Sequence, residues 1–308
     1  MSQSITRIAF VIPTLDQSGA EKQLAMLASG LPADQYEPLI IALNRGGPYE
    51  QQLKKAGIPV QILNKRLRFD PFAHRRLGAA IKDFGPDIVH SWLFSANSHV
   101  RMLKNSQTPW KCVVSQRCVD SWKSNWQLWL DRKLTPRTDA LVANSQSVAN
   151  FYAQFGQPAA SLHVINNGIE LPDLLPEADK NRQRSAWLTQ WEFPEDAFVV
   201  GFAGRLAKQK QLPTLLWAEH LLKMADRRIY AMIAGDGPEI EELRELAKSY
   251  EIESHIRFVG HQSDMTPFYK HWDALWLASQ FGGNQTASWK PWLIKFLFSF
   301  RKSRKTWN

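Results

Sequence analysis

The chain alternates between short, almost continuous apolar runs and longer stretches whose apolar residues recur three or four positions apart. A strand covered on both faces shows no polar alternation, so the short runs predict buried parallel strands. In the first half they are RIAFVIPTL (7–15), EPLIIAL (37–43), IPVQIL (58–63), PDIVHSW (86–92), KCVVSQR (111–117), DALVANS (139–145) and HVINNG (163–168). Between them the spacing is helical. Leu24, Leu27, Ala28 and Leu31 follow the first run, YEQQLKKAG (49–57) closes on Gly57, and FAHRRLGAAIKDFG (72–85) ends on Gly85, a glycine suited to a helix C-terminus.

The rhythm resumes after a polar, proline-containing stretch at 172–196, which predicts a linker with a short helix. FVVGFAG (198–204), IYAMIAGDGPE (229–239), HIRFVG (255–260) and ALWLAS (274–279) are the next strands and their turns. Strands alternating with helices predict an α/β fold of doubly wound parallel sheets. Such sheets bind ligands at the carboxyl ends of their strands. His90, Ser91, Arg117, Asn144, Ser145, Asn167 and Gly168 all fall at predicted strand ends, and that shared position makes them a candidate site. The first strand runs into Asp16 to Lys22, a small-residue turn containing Gly19 and a first-turn carboxylate, Glu21. Helix amides pointing at such a turn suit an anion, although any strand-to-helix turn favours small residues. His90 is the candidate for chemistry in this half: a histidine there can polarise a hydroxyl or hold a phosphate or sugar oxygen, with a structural histidine as the alternative.

Composition narrows this picture. A length of 308 residues with 44% hydrophobic content suits two domains with sizeable cores. Cys112 and Cys118 have neither metal-site nor disulfide-framework spacing and suit a reducing cytoplasm. The apolar run before Pro13 reads as a first strand and not a signal peptide, and no apolar run is long enough to span a bilayer. The net charge of +9 suggests anionic partners, yet residues 284–308 carry six Lys and Arg and no Asp or Glu, so the rest of the chain holds only +3. No nucleic-acid partner is therefore expected. Segment 121–137 mixes Trp122, Trp126, Trp129 and Leu130 with Lys and Arg; it suits either a membrane surface or a helix packing its aromatic face inward.

By Asn167 and Gly168 the ordered set of motifs resembles the retaining GT-B glycosyltransferases of family 4, the group 1 glycosyl transferases. SGAEKQLAMLASGL, PDIVHSWLFSAN, ALVANSQSVANF, VINNGIELP, GFAGRLAKQKQ, IAGDGPEIEELRELA, IRFVGHQSDM and WDALWLAS carry the likeness over residues 5–281. The resemblance implies two Rossmann-like domains facing across a cleft. Residues 1–171 would take the acceptor, 172–196 would link, and 197–281 would form a partial domain binding a nucleotide-diphosphate sugar. It implies a saccharide or lipid-linked acceptor, retention of configuration, no metal or other cofactor, and cytoplasmic work on cell-surface polysaccharide or glycolipid, with peripheral contact at the inner face of the membrane left open. It places the diphosphate between Arg205 and Lys210, near Gly204, Gly235 and Gly237, with the base toward Gly260. His90, Gly19, Glu21, Arg117, Asn144 and Asn167 fall to the acceptor side. Gln211 stands where the family usually has glycine. Paired cations neutralise a departing diphosphate without a metal.

After Phe281 the text changes character. Relatives continue into a Glu-Gly turn and a helix with a second glutamate eight positions on, and these carboxylates hold donor sugar and ribose. Residues 282–308 contain no glutamate. Reading codons from the third base of each residue, Trp289-Lys290 must be TGG-AAR, which forces a glutamate codon. The shifted frame permits Phe-Glu-Gly-Glu-Ser-Asn-Ser-Leu-Met-Glu-Ala-Met-Ala, the family's text at the family's spacing. Residues 282–308 are accordingly expected to be a frameshift product, leaving the second domain incomplete, marginally stable and inactive. Other readings are a sugar phosphorylase or nucleotide-sugar epimerase of the same fold, or a non-catalytic basic binder of membranes or nucleic acid resting on the charged tail. A nicotinamide-binding protein is disfavoured, because no G-x-G-x-x-G follows the first strand.

Overall fold

In the computed structural model, residues 4–67, 70–121, 123–168, 177–262 and 264–276 are described. The chain divides into two compact units, residues 1–168 and 169–308. The expected out-of-frame segment, residues 282–308, and Trp122 lie outside the described residues.

The first unit is a parallel sheet of seven strands: β1 (Thr6–Thr14), β2 (Tyr36–Arg45), β3 (Val60–Ile62), β4 (Ile88–Trp92), β5 (Lys111–Gln116), β6 (Ala140–Ala143) and β7 (Leu162–Val164). Their order is β3-β2-β1-β4-β5-β6-β7. The helices are α1 (Gly19–Gly30), α2 (Pro48–Lys55), α3 (Pro71–Phe84), α4 (Leu93–Leu103), α5 (Asn125–Leu134) and α6 (Gln146–Ala153). Side chains alternate across β1. Ile8, Phe10 and Ile12 pack with Leu24 and Ala25 of α1 and Leu53 of α2, while Ala9 and Val11 pack with Leu77 and Ile81 of α3 and Ala96 and Val100 of α4. Both faces are covered, which is why β1 reads as one apolar run. Asp70 caps α3 by accepting from Ala73 N at 2.9 Å, and Gly85, at φ +61°, ends that helix in the left-handed conformation.

The second unit holds β8 (Phe198–Ala203), β9 (Ile229–Ala234), β10 (Ile256–Gly260) and β11 (Ala274–Leu275), parallel and ordered β10-β9-β8-β11. Its helices are α7 (Glu177–Gln190), α8 (Leu212–Ala225), α9 (Ile240–Ser249) and α10 (Thr266–His271). The stretch expected to link the domains contains α7, and α7 belongs to this unit's core. Trp187 and Leu188 pack with Phe193, Val199, Met232, Phe268 and Trp272. Arg184 fastens the helix by donating to Ala197 O at 2.9 Å and pairing with Asp273 at 2.5 Å. The short helix expected in this stretch is therefore α7, held to the core by Trp187 and Leu188.

Candidate active site

Parallel strands deliver every following loop to the same edge of the sheet, so the candidate residues of the first unit meet there. The β1–α1 turn is held by Glu21, buried in the first turn of α1, which accepts from Thr14 Oγ1 at 3.1 Å and from Ser18 Oγ. Gly19 in that turn faces open space. Two residues on, Gln23 grips the backbone of Gly168 from both sides: its Nε2 donates to Gly168 O at 2.8 Å and its Oε1 accepts from Gly168 N at 2.8 Å. Beside this clamp, Arg117 donates through Nη2 to Asn167 Oδ1. The Arg117 guanidinium lies 4.6 Å above the Trp92 ring. Asn144 Nδ2 donates to the Arg117 carbonyl at 2.8 Å, holding the β5 loop against β6. The turns after β1, β5, β6 and β7 thus form one connected edge.

His90 sits further back than expected. It is the third residue of β4, not the last, and its ring lies on the sheet face between Phe10 and Trp92, with centroids at 5.5 and 5.2 Å. Nε2 is hydrogen-bonded to Ser115 Oγ at 2.9 Å. Burial, assisted by the Arg117 charge, lowers its pKa to about 3, so the ring is neutral at physiological pH. Burial also lowers Arg117 to about 10, still charged. Ser91 is buried on the opposite face and donates to Val113 O at 3.3 Å, and Ser145 caps α6 by accepting from Val148 N at 3.4 Å. The site gains Gln23, Trp92 and Ser115. Gln23 carried no local mark, because its partner is 145 residues away.

In the second unit the loops after β8, β9 and β10 are laced together by backbone. Gly204 N donates to Ala234 O at 3.0 Å, Leu206 N to Asp236 O at 2.9 Å, and Gly235 N to Gly260 O at 2.7 Å. The contact leaves no space for side chains. A Cβ on Gly235 would lie 1.9 Å from Gly204 O, and one on Gly237 would lie 2.2 Å from Leu206 O. Arg205 and Lys210 follow Gly204, and Gln211 adopts a left-handed φ of +50° ahead of α8. Arg205 is exposed, while Lys210 is half-buried and folds back toward Gly204. Burial lowers the Lys210 pKa. Among the described residues neither cation pairs with a carboxylate. A partly desolvated lysine without a counter-ion, beside a tight glycine turn, suits an anionic ligand. The departure at Gln211 is met by a left-handed turn, the conformation glycine would take most easily.

Comparison with known proteins gives this arrangement a family. The Glycosyltransferase Family 4 model matches residues 17–172, and the Glycosyl transferases group 1 model matches residues 183–284. The lipopolysaccharide core biosynthesis glycosyltransferase LpsD of Rhizobium meliloti is 34% identical over 263 residues, covering 84% of this chain and 67% of that protein. A Campylobacter jejuni alpha-1,4-N-acetyl-D-galactosaminyltransferase, named for a diNAcBac-PP-undecaprenol-linked substrate, is 26% identical over 288 residues, covering 89% of this chain and 73% of that protein. Anabaena HepE in complex with UDP-glucose superposes with a TM-score of 0.74 at 20% identity, covering 89% of this chain and 74% of that one. The chain belongs to glycosyltransferase family 4, with the GT-B fold.

Proposed function

We propose that this glycosyltransferase, when its reading frame is intact, moves a sugar from a nucleotide-diphosphate donor to a saccharide or lipid-linked acceptor, with retention of configuration, in the assembly of surface polysaccharide or lipopolysaccharide. The observation that carries this reading is the pair Arg205 and Lys210, without carboxylate partners among the described residues and set at the carboxyl edge of β8. Family membership supports the transfer. The lipid-linked substrate of the Campylobacter enzyme and the lipopolysaccharide role of LpsD support the acceptor class, and the UDP-glucose complex of HepE supports a uridine donor.

In this reading Arg205 and Lys210 neutralise the departing diphosphate, a role that needs no metal. Gly204, Gly235 and Gly237 let the backbone approach the phosphates, and Gly260 lies toward the base. The bond from the anomeric carbon to the diphosphate oxygen breaks while the acceptor oxygen attacks on the same face, and the acceptor proton passes to the leaving diphosphate. Gly19, Glu21, Arg117, Asn144 and Asn167 shape the acceptor side, and the neutral His90 ring orients the acceptor. We further propose that residues 282–308 are out of frame, which leaves donor binding but not turnover; the family match ending at residue 284 supports this. Resequencing the gene across the Phe281 codon tests it, and an intact frame overturns it.

Calorimetric titration with UDP tests the donor site directly. The protein should bind UDP, and Lys210→Ala or Arg205→Ala should weaken binding by roughly 10- to 100-fold each, the value of a hydrogen bond to a charged group. Absence of binding to UDP, GDP and ADP alike, or binding indifferent to both substitutions, overturns the assignment.

A further inference from the structure

Helix α5 is built the wrong way round for a helix facing water. A surface helix normally turns apolar residues inward and charges outward. α5 buries Asp131, 1% exposed, and displays Trp126 at 49% and Trp129 at 59%. Beside buried Leu134, its inner side is an ionic network. Asp131 pairs with Arg101 of α4 and, at 2.9 Å, with Lys123, whose side chain is wholly buried. Lys123 also reaches Asp120 at 2.6 Å and the Tyr152 hydroxyl of α6 at 3.0 Å. Two carboxylates meet two cations, so the network is neutral and locks the helix in place. Turning the tryptophans inward would strand buried charges.

The outer face has one chemistry. At 100° per residue, Trp126, Trp129 and Lys133 fall within roughly 60° of one another. Half-buried Leu130 flanks them on one side and exposed Arg132 on the other. Every exposed charge on the helix is basic. Indole rings with one apolar and one polar edge, bordered by cations and no exposed acid, match the interfacial layer of an anionic bilayer. A second copy of the chain fits less well, because a twofold contact would bring like charges together at its centre. The helix is ten residues long, too short to cross a bilayer.

We propose that the outer face of α5, formed by Trp126, Trp129, Arg132 and Lys133, docks on an anionic phospholipid surface. The inference rests on the lipid-linked acceptor reading and deepens it: the loop that carries Arg117 runs directly into α5, so docking brings the acceptor edge of the first unit to the lipid. The test is co-sedimentation of the full chain with vesicles of equimolar phosphatidylglycerol and phosphatidylcholine. The parent protein should pellet with them. Trp126→Ala combined with Trp129→Ala should lower partitioning about tenfold or more. Arg132→Glu combined with Lys133→Glu should lower it similarly, by an amount that shrinks as salt screens the headgroups. All four side chains are exposed, so the variants should keep the parent circular dichroism and melting temperature. Partitioning unchanged in the aromatic variant overturns the proposal and assigns vesicle binding to other basic residues, such as those of 284–308. Equal binding to pure phosphatidylcholine, or a parent dimer split by these substitutions with vesicle binding intact, also overturns it. UDP binding by the second unit is independent of α5, so it separates failure here from failure of the transferase reading.

Discussion

Among the described residues Glu219 is a buried acid without a partner, and replacing it should stabilise the second unit in a pH-dependent way. Leu212, Leu215, Leu216 and Glu219 share the inner face of α8. The Glu219 side chain is fully buried, and among the described residues neither carboxylate oxygen has a hydrogen-bond partner. Burial raises its pKa to about 8 from the ordinary 4.5. The folded state therefore holds a proton that the unfolded chain releases above about pH 4.5. Stability falls as pH rises through that window, until the folded acid titrates near pH 8. At 1.36 kcal/mol per unit, the cost at about pH 7 is on the order of 3 kcal/mol. Glu219→Gln keeps the shape and an equally unpaired polar end but removes the titration. It should match the parent to within about 1 kcal/mol at about pH 5 and exceed it by about 4 kcal/mol at about pH 8. Urea unfolding at the two pH values measures this, with hydrogen exchange in β8 and β9 assigning the transition to the second unit. A parent-to-variant difference that is the same at both pH values refutes the reasoning.

Two further predictions concern the glycine edge and the buried histidines. Gly235→Ala drives a methyl group into Gly204 O and should cost the second unit about 2–4 kcal/mol and abolish UDP binding, whereas Gly260→Ala, at φ +68° in open space, should cost only about 1–2 kcal/mol; thermal melts that rank them the other way reject the lacing of the three loops. In the first unit, His90 and His99 have pKa values lowered by burial to about 3 and about 4, so their contribution is full above the unfolded value near 6.5 and is lost as pH falls toward 4. The unfolding free energy of that unit from urea titration should drop between about pH 6.5 and pH 5, by about 1–2 kcal/mol per ring, and a flat profile would count against neutral buried imidazoles.

The sequence by itself determined the α/β class, the seven strands of the first sheet and the edge at which its site lies. These follow from local pattern. Strands buried on both faces must be apolar throughout, and parallel connections send every loop to one edge. Arg117, Asn144 and Asn167 were expected at that edge for this reason, whereas Gly204, Gly235 and Gly237 were singled out by the family resemblance. Tertiary structure decided which of these residues touch, and several contacts have no local mark. Gln23 clamps Gly168 across 145 residues, Gly235 owes its identity to the carbonyl of Gly204, and α7 belongs to a core through Trp187 and Leu188. The orientation of α5 is the clearest case. By spacing its tryptophans read more readily as a packed face than as an exposed one. Asp131 settles the matter, because its partners Arg101 and Lys123 lie beneath the helix and a buried charge cannot be left without them. Periodicity records how a segment divides its own faces, whereas which face turns inward depends on charges and backbone that other segments bring.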